Sequence, residues 1–292
     1  MRFAIISRRP SATNDRLVAA HCRRARWELL TPANALRELR AGDVALGRLD
    51  VLPTLDGVDD GLWALGELEA RGVTVLNGAP ALLAAHDKLL TARLLRQAGL
   101  PHPRTGLLRP GGRVSLRPPL VLKPRFGSWG RDVERCDDEV SLERVFARIR
   151  ATGWFHAHGA LVQELVAPQG FDLRVVVAGR RAVGAISRFA ATGEWRTNVA
   201  LGATRVAADP PAEAVALALA AAEAAGASLV GVDLLPTLEG GWTIVELNGA
   251  VDFTADYAPG GDVFAEASFE LARVALGCLA APRLPPEAAE VA

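Results

Sequence analysis

Gly231-Val232-Asp233-Leu234-Leu235 and, past a turn at Glu239-Gly240-Gly241, Val245-Glu246-Leu247-Asn248 are the two runs whose reading decides the fold. Both are rich in β-formers, and the glycines between them favour an antiparallel hairpin over Leu229–Leu235 and Trp242–Leu247. If that hairpin is symmetric about the Glu239–Gly240 bond, Asp233 faces Glu246 directly. Their Cβ atoms then lie about 5 Å apart, where two like charges destabilise a sheet unless something offsets them. Asn248 lies two residues beyond Glu246 and projects from the same face. Two carboxylates and an amide oxygen form a hard-oxygen set of the kind Mg2+ accepts, with water and ligand phosphates completing its shell. The competing readings are a register shifted by one residue, or arginines that neutralise the acids.

A magnesium ion held by few protein ligands serves a nucleotide, and a nucleotide needs donors for its phosphates. The cations are unevenly divided: of 33 basic residues, 31 are arginine, and Lys88 and Lys123 are the only lysines. A compact ammonium and a planar guanidinium fork are not interchangeable in a tight phosphate site, so both lysines become candidates. Lys123 ends the β-rich run Leu120-Val121-Leu122-Lys123-Pro124. The loop Arg125-Phe126-Gly127-Ser128-Trp129-Gly130-Arg131 that follows can bend over an anion and expose backbone N–H groups. It lacks the ending of a Walker A loop, and taken by itself it is an ordinary turn. Gln163-Glu164-Leu165-Val166 ends an apolar strand and could offer backbone groups to an adenine edge, though alone it is only a strand tail. Arg188 precedes Trp195-Arg196-Thr197-Asn198; a guanidinium there suits a transferring phosphoryl group or a substrate carboxylate, and Asn198 could assist.

The rest of the chain bounds the problem. Its 292 residues are 50% apolar and 23% charged, and 33 acids cancel 33 bases, which argues against a disordered polyelectrolyte or a non-specific nucleic-acid binder. Cys22, Cys136 and Cys278 are too few and too scattered for a disulfide framework or a zinc cluster, and they fit a reducing cytoplasm. MRFAIIS at the start reads as a buried strand, not a signal peptide, and no run reaches the about 20 uninterrupted apolar residues of a membrane span.

Periodicity divides the chain into a mixed α/β and α+β architecture. Residues 1–80 read as an N-terminal α/β domain: strands Arg2–Ser7, Val51–Leu55 and Val73–Leu76, helices Asp15–Arg24 and Gly61–Arg71, and a short apolar run Trp27–Leu30. Residues 81–119 read as a helical linker region, with a helix from Pro80 to Ala98 broken near Asp87. Residues 120–166 form a small central lobe with helix Val140–Ala151, and 167–280 a C-terminal lobe. There strands Phe171–Ala178 and Arg181–Arg188 precede helix Pro211–Ala225, the hairpin and helix Val263–Leu279. Residues 281–292 read as a disordered tail.

Taken in order, the motifs resemble an ATP-grasp ligase, in particular the RimK-type α-L-glutamate ligases, a group that includes the LysX-type amino-group-carrier ligases. The resemblance runs from Asn77 to Tyr257. It rests on His86-Asp87-Lys88 and Thr91, Val121-Leu122-Lys123-Pro124 with Gly127-Ser128-Trp129-Gly130, and Gln163-Glu164 with Gly170-Phe171-Asp172-Leu173-Arg174. Trp195-Arg196-Thr197-Asn198, Gly231-Val232-Asp233 and Glu246-Leu247-Asn248 complete it. The resemblance implies an ATP-grasp fold with an N-terminal pre-ATP-grasp domain, a central lid and a C-terminal lobe. It implies that Lys88 and Lys123 contact ATP phosphates, that Ser128, Trp129 and Gly130 close over them, and that Gln163, Glu164, Leu165 and Val166 line the adenine hinge. Asp233, Glu246 and Asn248 would hold Mg2+, or Mn2+ in its place, while Asp172, Arg174, Arg188 and Asn198 would border ribose, γ-phosphate and acceptor. Lys123, Arg188 and Asn198 are the catalytic candidates. The implied activity joins a carboxylate to an amine through an acylphosphate, adding an amino acid such as glutamate to a small molecule or protein. An ATP-grasp kinase and a non-catalytic ATP-binding scaffold are the alternatives.

The implied partners are small-molecule carboxylate and amine substrates, with an amino-group carrier protein and a homo-oligomer as further options; no nucleic-acid or membrane partner is expected. Asn248 is followed by Gly249, where many relatives carry proline, and Leu201-Gly202-Ala203 lacks a second glycine, so the acceptor stays open. His156 and His158 read as a loop and not a metal pair, Cys136 as structural, Asp59-Asp60 as a helix N-terminus, and the run Arg23-Arg24 with Arg26, Arg8 and Arg9 as solvated surface.

Overall fold

The computed structural model describes residues 1–20 and 25–280. A parallel sheet comes first, built from β1 (Phe3–Ile6), β2 (Trp27–Leu30), β3 (Val44–Gly47) and β4 (Thr74–Leu76) in the order β2-β1-β3-β4. Helices α1 (Ala12–Ala19), α2 (Pro32–Glu38) and α3 (Leu62–Ala70) connect these strands. All residues of β1 and β3 are buried, as expected of strands covered on both faces. The expected strand Val51–Leu55 is not formed. Val51 makes one isolated bridge to Val58, and Pro53 has no N–H to give a ladder; the strand is instead the small-residue run Val44-Ala45-Leu46-Gly47. Gly47 fits there because a Cβ would lie 2.3 Å from the Asn77 carbonyl. The helix expected at Asp15–Arg24 starts earlier, at Ala12, and its last four expected residues lie outside those described.

Helices α4 (Ala79–His86) and α5 (Lys88–Gln97) replace one long helix, and Asp87 makes the break. Its backbone leaves the helical region, and its carboxylate caps α5 by accepting from the N–H groups of Leu89 (3.1 Å) and Leu90 (3.4 Å). The stretch 81–119, expected as a helical linker, also contains strand β5 (Thr105–Leu108). It joins β6 (Leu120–Pro124), β7 (Glu134–Cys136) and β8 (Ala160–Glu164) in an antiparallel sheet of order β5-β8-β6-β7. Helices α6 (Glu139–Ile149) and α7 (Gly153–His158) lie within this lobe. His156 and His158 therefore sit on a short helix rather than a loop, anchored by buried Trp154 and Phe155.

The third sheet orders its strands β11-β10-β9-β12-β13, from β9 (Phe171–Ala178), β10 (Arg181–Phe189), β11 (Thr204–Ala207), β12 (Leu229–Pro236) and β13 (Trp242–Asn248). Helix α8 (Ala212–Ala224) packs small alanines on it, and α9 (Val263–Ala280) returns to the first sheet, where Trp27 Nε1 donates to Ser268 Oγ at 2.8 Å. One apolar core consequently runs from Phe3 and Trp27 to Leu271 and Ala275.

Asn77 joins the first sheet to the third. With φ at 50°, a left-handed conformation that asparagine tolerates, it accepts from the N–H groups of Ser228 (2.6 Å) and Leu229 (3.1 Å) and donates to the Leu229 carbonyl (2.7 Å). Asn77→Ala strips these bonds and a fourth, longer one to the Gly249 carbonyl (3.4 Å), and is expected to lower the unfolding free energy by about 3 kcal/mol, read from a shifted midpoint in urea.

Candidate nucleotide and metal site

In the hairpin, Asp233 pairs with Glu246, as a turn symmetric about Glu239–Gly240 requires. The geometry reaches that result by a different route. Beyond Asp233 the register is one residue lower, with Leu234 opposite Ile244, so the turn centres on Glu239 and a β-bulge at Val245 restores the opposition of the two acids. The bulge thus aims Glu246 at the same place as Asp233.

Each acid is offset by cations. Asp233, 5% exposed, receives Arg174 through Nε (2.6 Å) and Nη2 (2.7 Å) and Arg188 through Nη2 (2.9 Å). Arg188 also forks onto Asp172, with Nε at 2.8 Å. Burial works against the Asp233 charge, but the two guanidiniums outweigh it and hold the carboxyl well below the usual carboxylate range. Asp172 is pushed upward instead, by burial first, against the pull of Arg188. Opposition and arginine neutralisation, alternatives in the sequence, therefore coexist.

Glu246 accepts from Lys88 Nζ at 3.1 Å, and the same ammonium donates to the Gly127 carbonyl of the glycine-rich loop. Lys123 donates to Gln163 Oε1 at 2.7 Å, whose Nε2 in turn donates to Thr105 Oγ1 at 2.9 Å. Burial pushes the Lys123 ammonium down to about 8. Among these groups three carboxylates (Asp172, Asp233, Glu246) meet four cations (Lys88, Lys123, Arg174, Arg188), a net positive cluster whose charge suits a polyphosphate.

Between the second and third sheets lies a cleft open to solvent. Lys88, Lys123, Ser128, Trp129, Gly130, Gln163, Glu164, Leu165, Val166, Asp172, Arg188, Asn198, Asp233 and Glu246 line it; Arg174 and Asn248 are not among the lining residues, though Arg174 grips Asp233, which is. The Gly127–Gly130 loop bends through three left-handed residues: Gly127 (φ 140°), Trp129 (62°) and Gly130 (71°). A Cβ at Gly130 would fall 2.6 Å from Asn198 Oδ1, so glycine is what lets these two segments meet. Trp129 is half exposed over the cleft and carries the Arg131 guanidinium 4.8 Å from its ring centroid.

The sequence reading missed three supports. Arg125 forks onto Asp87 (2.7 and 2.5 Å), tying the α4–α5 break to the loop. Arg196 Nη1 donates to the carbonyls of Gly130 (3.1 Å) and Val133 (3.3 Å), and Thr197 bonds Asp172. Both lie within quoted motifs, but their partners are remote in sequence. Glu164 faces outward and pairs with Arg104 at 3.2 Å.

The donor set fits a hard cation. Glu246 has one partner, Lys88, and Asp233 keeps a lone-pair site free of its three arginine contacts. Ser128 Oγ and Asn248 Nδ2 are buried polar atoms with no partner among the described residues; Nδ2 is an N–H donor that suits an anion, so only the Oδ1 of Asn248 could serve the cation. No group of three or more His, Cys, Asp or Glu side chains forms a metal cage among the described residues.

A cation-rich cleft at the facing edges of two antiparallel α+β lobes is the arrangement of an ATP-grasp protein. The chain belongs to the RimK-like ATP-grasp family, whose domain matches residues 85–258. It is 32% identical over 220 residues to the tetrahydromethanopterin:α-L-glutamate ligase of Methanosarcina acetivorans, a match covering 67% of this chain and 66% of that protein. It is 28% identical to the glutamate–LysW ligase ArgX of Sulfurisphaera tokodaii, over 75% of this chain and 80% of that one. A RimK-domain ATP-grasp protein of Sphaerobacter thermophilus superposes with TM-score 0.64 at 24% identity, covering 92% of this chain and 99% of the other. A D-alanine–D-alanine ligase of Bacillus anthracis superposes with TM-score 0.68 at 15% identity, covering 95% and 98%. These likenesses establish the expected ATP-grasp fold. No helix among the described residues is long and apolar enough to cross a membrane.

Proposed function

We propose that this protein is a cytoplasmic ATP-dependent carboxylate–amine ligase that adds an amino acid such as glutamate to an acceptor carboxylate. The observation that carries the reading is that both lysines of the chain reach one cleft. Lys88 is tied to the acidic hairpin and the glycine-rich loop, Lys123 to the hinge glutamine. Relatives named as glutamate ligases support glutamate as the amino acid, and those named for LysW support a carrier protein as one class of acceptor.

In this reading an acceptor carboxylate oxygen bonds to the γ-phosphorus of ATP as the bond to the β–γ bridging oxygen breaks, giving an acylphosphate and ADP. The amine then bonds to the acyl carbon, the C–O bond to phosphate breaks, and the nitrogen gives up a proton as the amide forms. No nucleophilic side chain takes part, so the chain's work is positioning and charge stabilisation. Lys88 and Lys123 place the phosphates, and Ser128, Trp129 and Gly130 exclude water above them. Gln163 to Val166 seat the adenine, with Asp172 and Arg174 bracing the far wall. Arg188, held rigid by Asp172 and Asp233, keeps Nη1 outside its ion pairs, available to the phosphoryl oxygens or the acyl oxygen; Asn198 flanks it. Asp233, Glu246 and Asn248 would hold Mg2+, which neutralises phosphate charge when bound.

The test is product analysis: phosphate and ADP should appear in equal amounts only when both a carboxylate acceptor and an amine are present. ADP without phosphate would indicate a kinase, and Mg·ATP binding without turnover in any mixture a scaffold. A pH dependence follows as well. The Lys123 ammonium is charged below about 8 and neutral above, so kcat/KM for ATP should fall as pH rises through that value. A flat profile from pH 7 to 9 would remove Lys123 from phosphate binding.

A further inference from the structure

The first sheet has the order β2-β1-β3-β4, so the chain leaves β1 toward one side and β3 toward the other. A parallel sheet opens a ligand crevice at the carboxyl ends of the two strands flanking such a reversal. At the end of β3 stands Arg48, whose side chain is 1% exposed. Its Nε donates to Asn14 Oδ1 (2.5 Å) and its Nη2 to Asp252 Oδ1 (3.3 Å), but Nη1 is buried with no partner among the described residues. A guanidinium N–H sealed from water without an acceptor is uncommon and costly, and the group aims at something the protein does not supply.

Two residues on, the half-buried Asp50 carboxylate presents the complementary gap. It accepts only from the Val51 N–H (2.7 Å), and no basic side chain lies within ion-pairing reach of it among the described residues. The other carboxylates here are taken: Asp59 by Arg9 at 2.9 Å, Asp252 by Arg48 and by Ser11 Oγ at 2.7 Å. One unfilled cationic donor and one unfilled carboxylate, two residues apart, match the two ends of a zwitterion. A plain dianion would meet the acids, and a plain amine would leave Arg48 unsatisfied.

This edge of the first sheet is tied to the nucleotide cleft through a closed ring of contacts. The carbonyl of Leu49, next to Arg48, meets His86 Nε2 at 3.0 Å; His86 is followed by Asp87 and Lys88, and Lys88 binds Glu246. From Glu246 the strand ends at Asn248, and the chain runs on through Gly249 to Asp252, which returns to Arg48.

We propose that the carboxyl edge of the first sheet is an α-amino-acid subsite, with Arg48 Nη1 receiving the α-carboxylate and Asp50 the ammonium of the amino acid to be ligated. This rests on the ligase reading and names where its second substrate is chosen. L-Glutamate is the probe, titrated calorimetrically into the full chain with Mg·ADP present, beside 4-aminobutyrate, the same molecule without its α-carboxylate. Wild type should bind L-glutamate at least about tenfold more tightly than 4-aminobutyrate. Arg48→Lys, which keeps the charge but loses the fork, should erase most of that preference, and Asp50→Asn should weaken L-glutamate by a similar factor. Equal binding of the two probes to wild type, no L-glutamate binding at all, or an unchanged preference in a folded Arg48→Lys protein would overturn the subsite. Mg·ATP affinity measured on the same samples should be unaffected by Arg48→Lys. Failure of wild type to bind Mg·ATP would sink the ligase reading instead, while the glutamate titration still decides the subsite.

Discussion

Arg188→Met is expected to lower turnover by about 10²–10³-fold and to destabilise the protein at the same time. The side chain is 5% exposed and is the only one that contacts both Asp172 and Asp233 among the described residues. Methionine fills the volume but leaves two buried carboxylates facing each other with only Arg174 to offset them. Breaking a buried pair from one side costs about 3–5 kcal/mol. Asp172 should relieve part of this by taking up a proton, since burial already pushes it upward and Arg188 is what holds it down. Stability of the variant should therefore improve relative to wild type as pH falls, because the protonated Asp172 no longer needs the lost partner. Thermal melts between pH 5 and 8, read beside phosphate release, check both halves; a variant as stable and as active as wild type would show that Arg188 serves neither stability nor turnover.

Lys123→Met separates affinity from stability. Lys123 is 5% exposed and its burial disfavours the charged form, so removing it relieves a desolvation penalty while costing Gln163 Oε1 one donor. These effects oppose each other, and the unfolding free energy should move by no more than about 1–2 kcal/mol. Affinity for Mg·ATP should nonetheless fall about 100-fold, the loss expected when one partner of a desolvated charge pair is truncated. Nucleotide titration and urea unfolding on one preparation give the two numbers. Large destabilisation with unchanged affinity would reverse the assignment and make Lys123 a structural residue.

The hairpin shows how far a sequence carries such a site and where it stops. Asp233 and Glu246 were placed opposite each other from an assumed turn centre, and they are opposite; yet the turn sits half a residue away and Val245 bulges to compensate. Spacing finds the destination here, while the bulge depends on packing between β12 and β13. Lys88 and Lys123 stood out because they are rare in an arginine-rich chain, and that contrast is a property of composition. The break at Asp87 was legible because a short acidic side chain between helical runs prefers a cap. Three features were not legible for physical reasons. The strand Val44–Gly47 contains too few β-branched residues to announce itself, and its buried position in a parallel sheet is what makes it a strand. Strand β5 is short and exists through its pairing with β8, more than fifty residues away. The Arg125–Asp87 and Arg196–Gly130 ties join segments whose proximity only tertiary folding creates.

The central claim is that the two lysines, the arginine brace and the acidic hairpin of this cleft serve carboxylate activation by ATP. Isotope transfer tests it most directly. An acceptor whose carboxylate carries 18O is turned over with ATP and amine, and the released phosphate is weighed. The account predicts one 18O atom in each phosphate, delivered when the acylphosphate is cleaved by the amine. Phosphate bearing no label, with amide product formed, would contradict it.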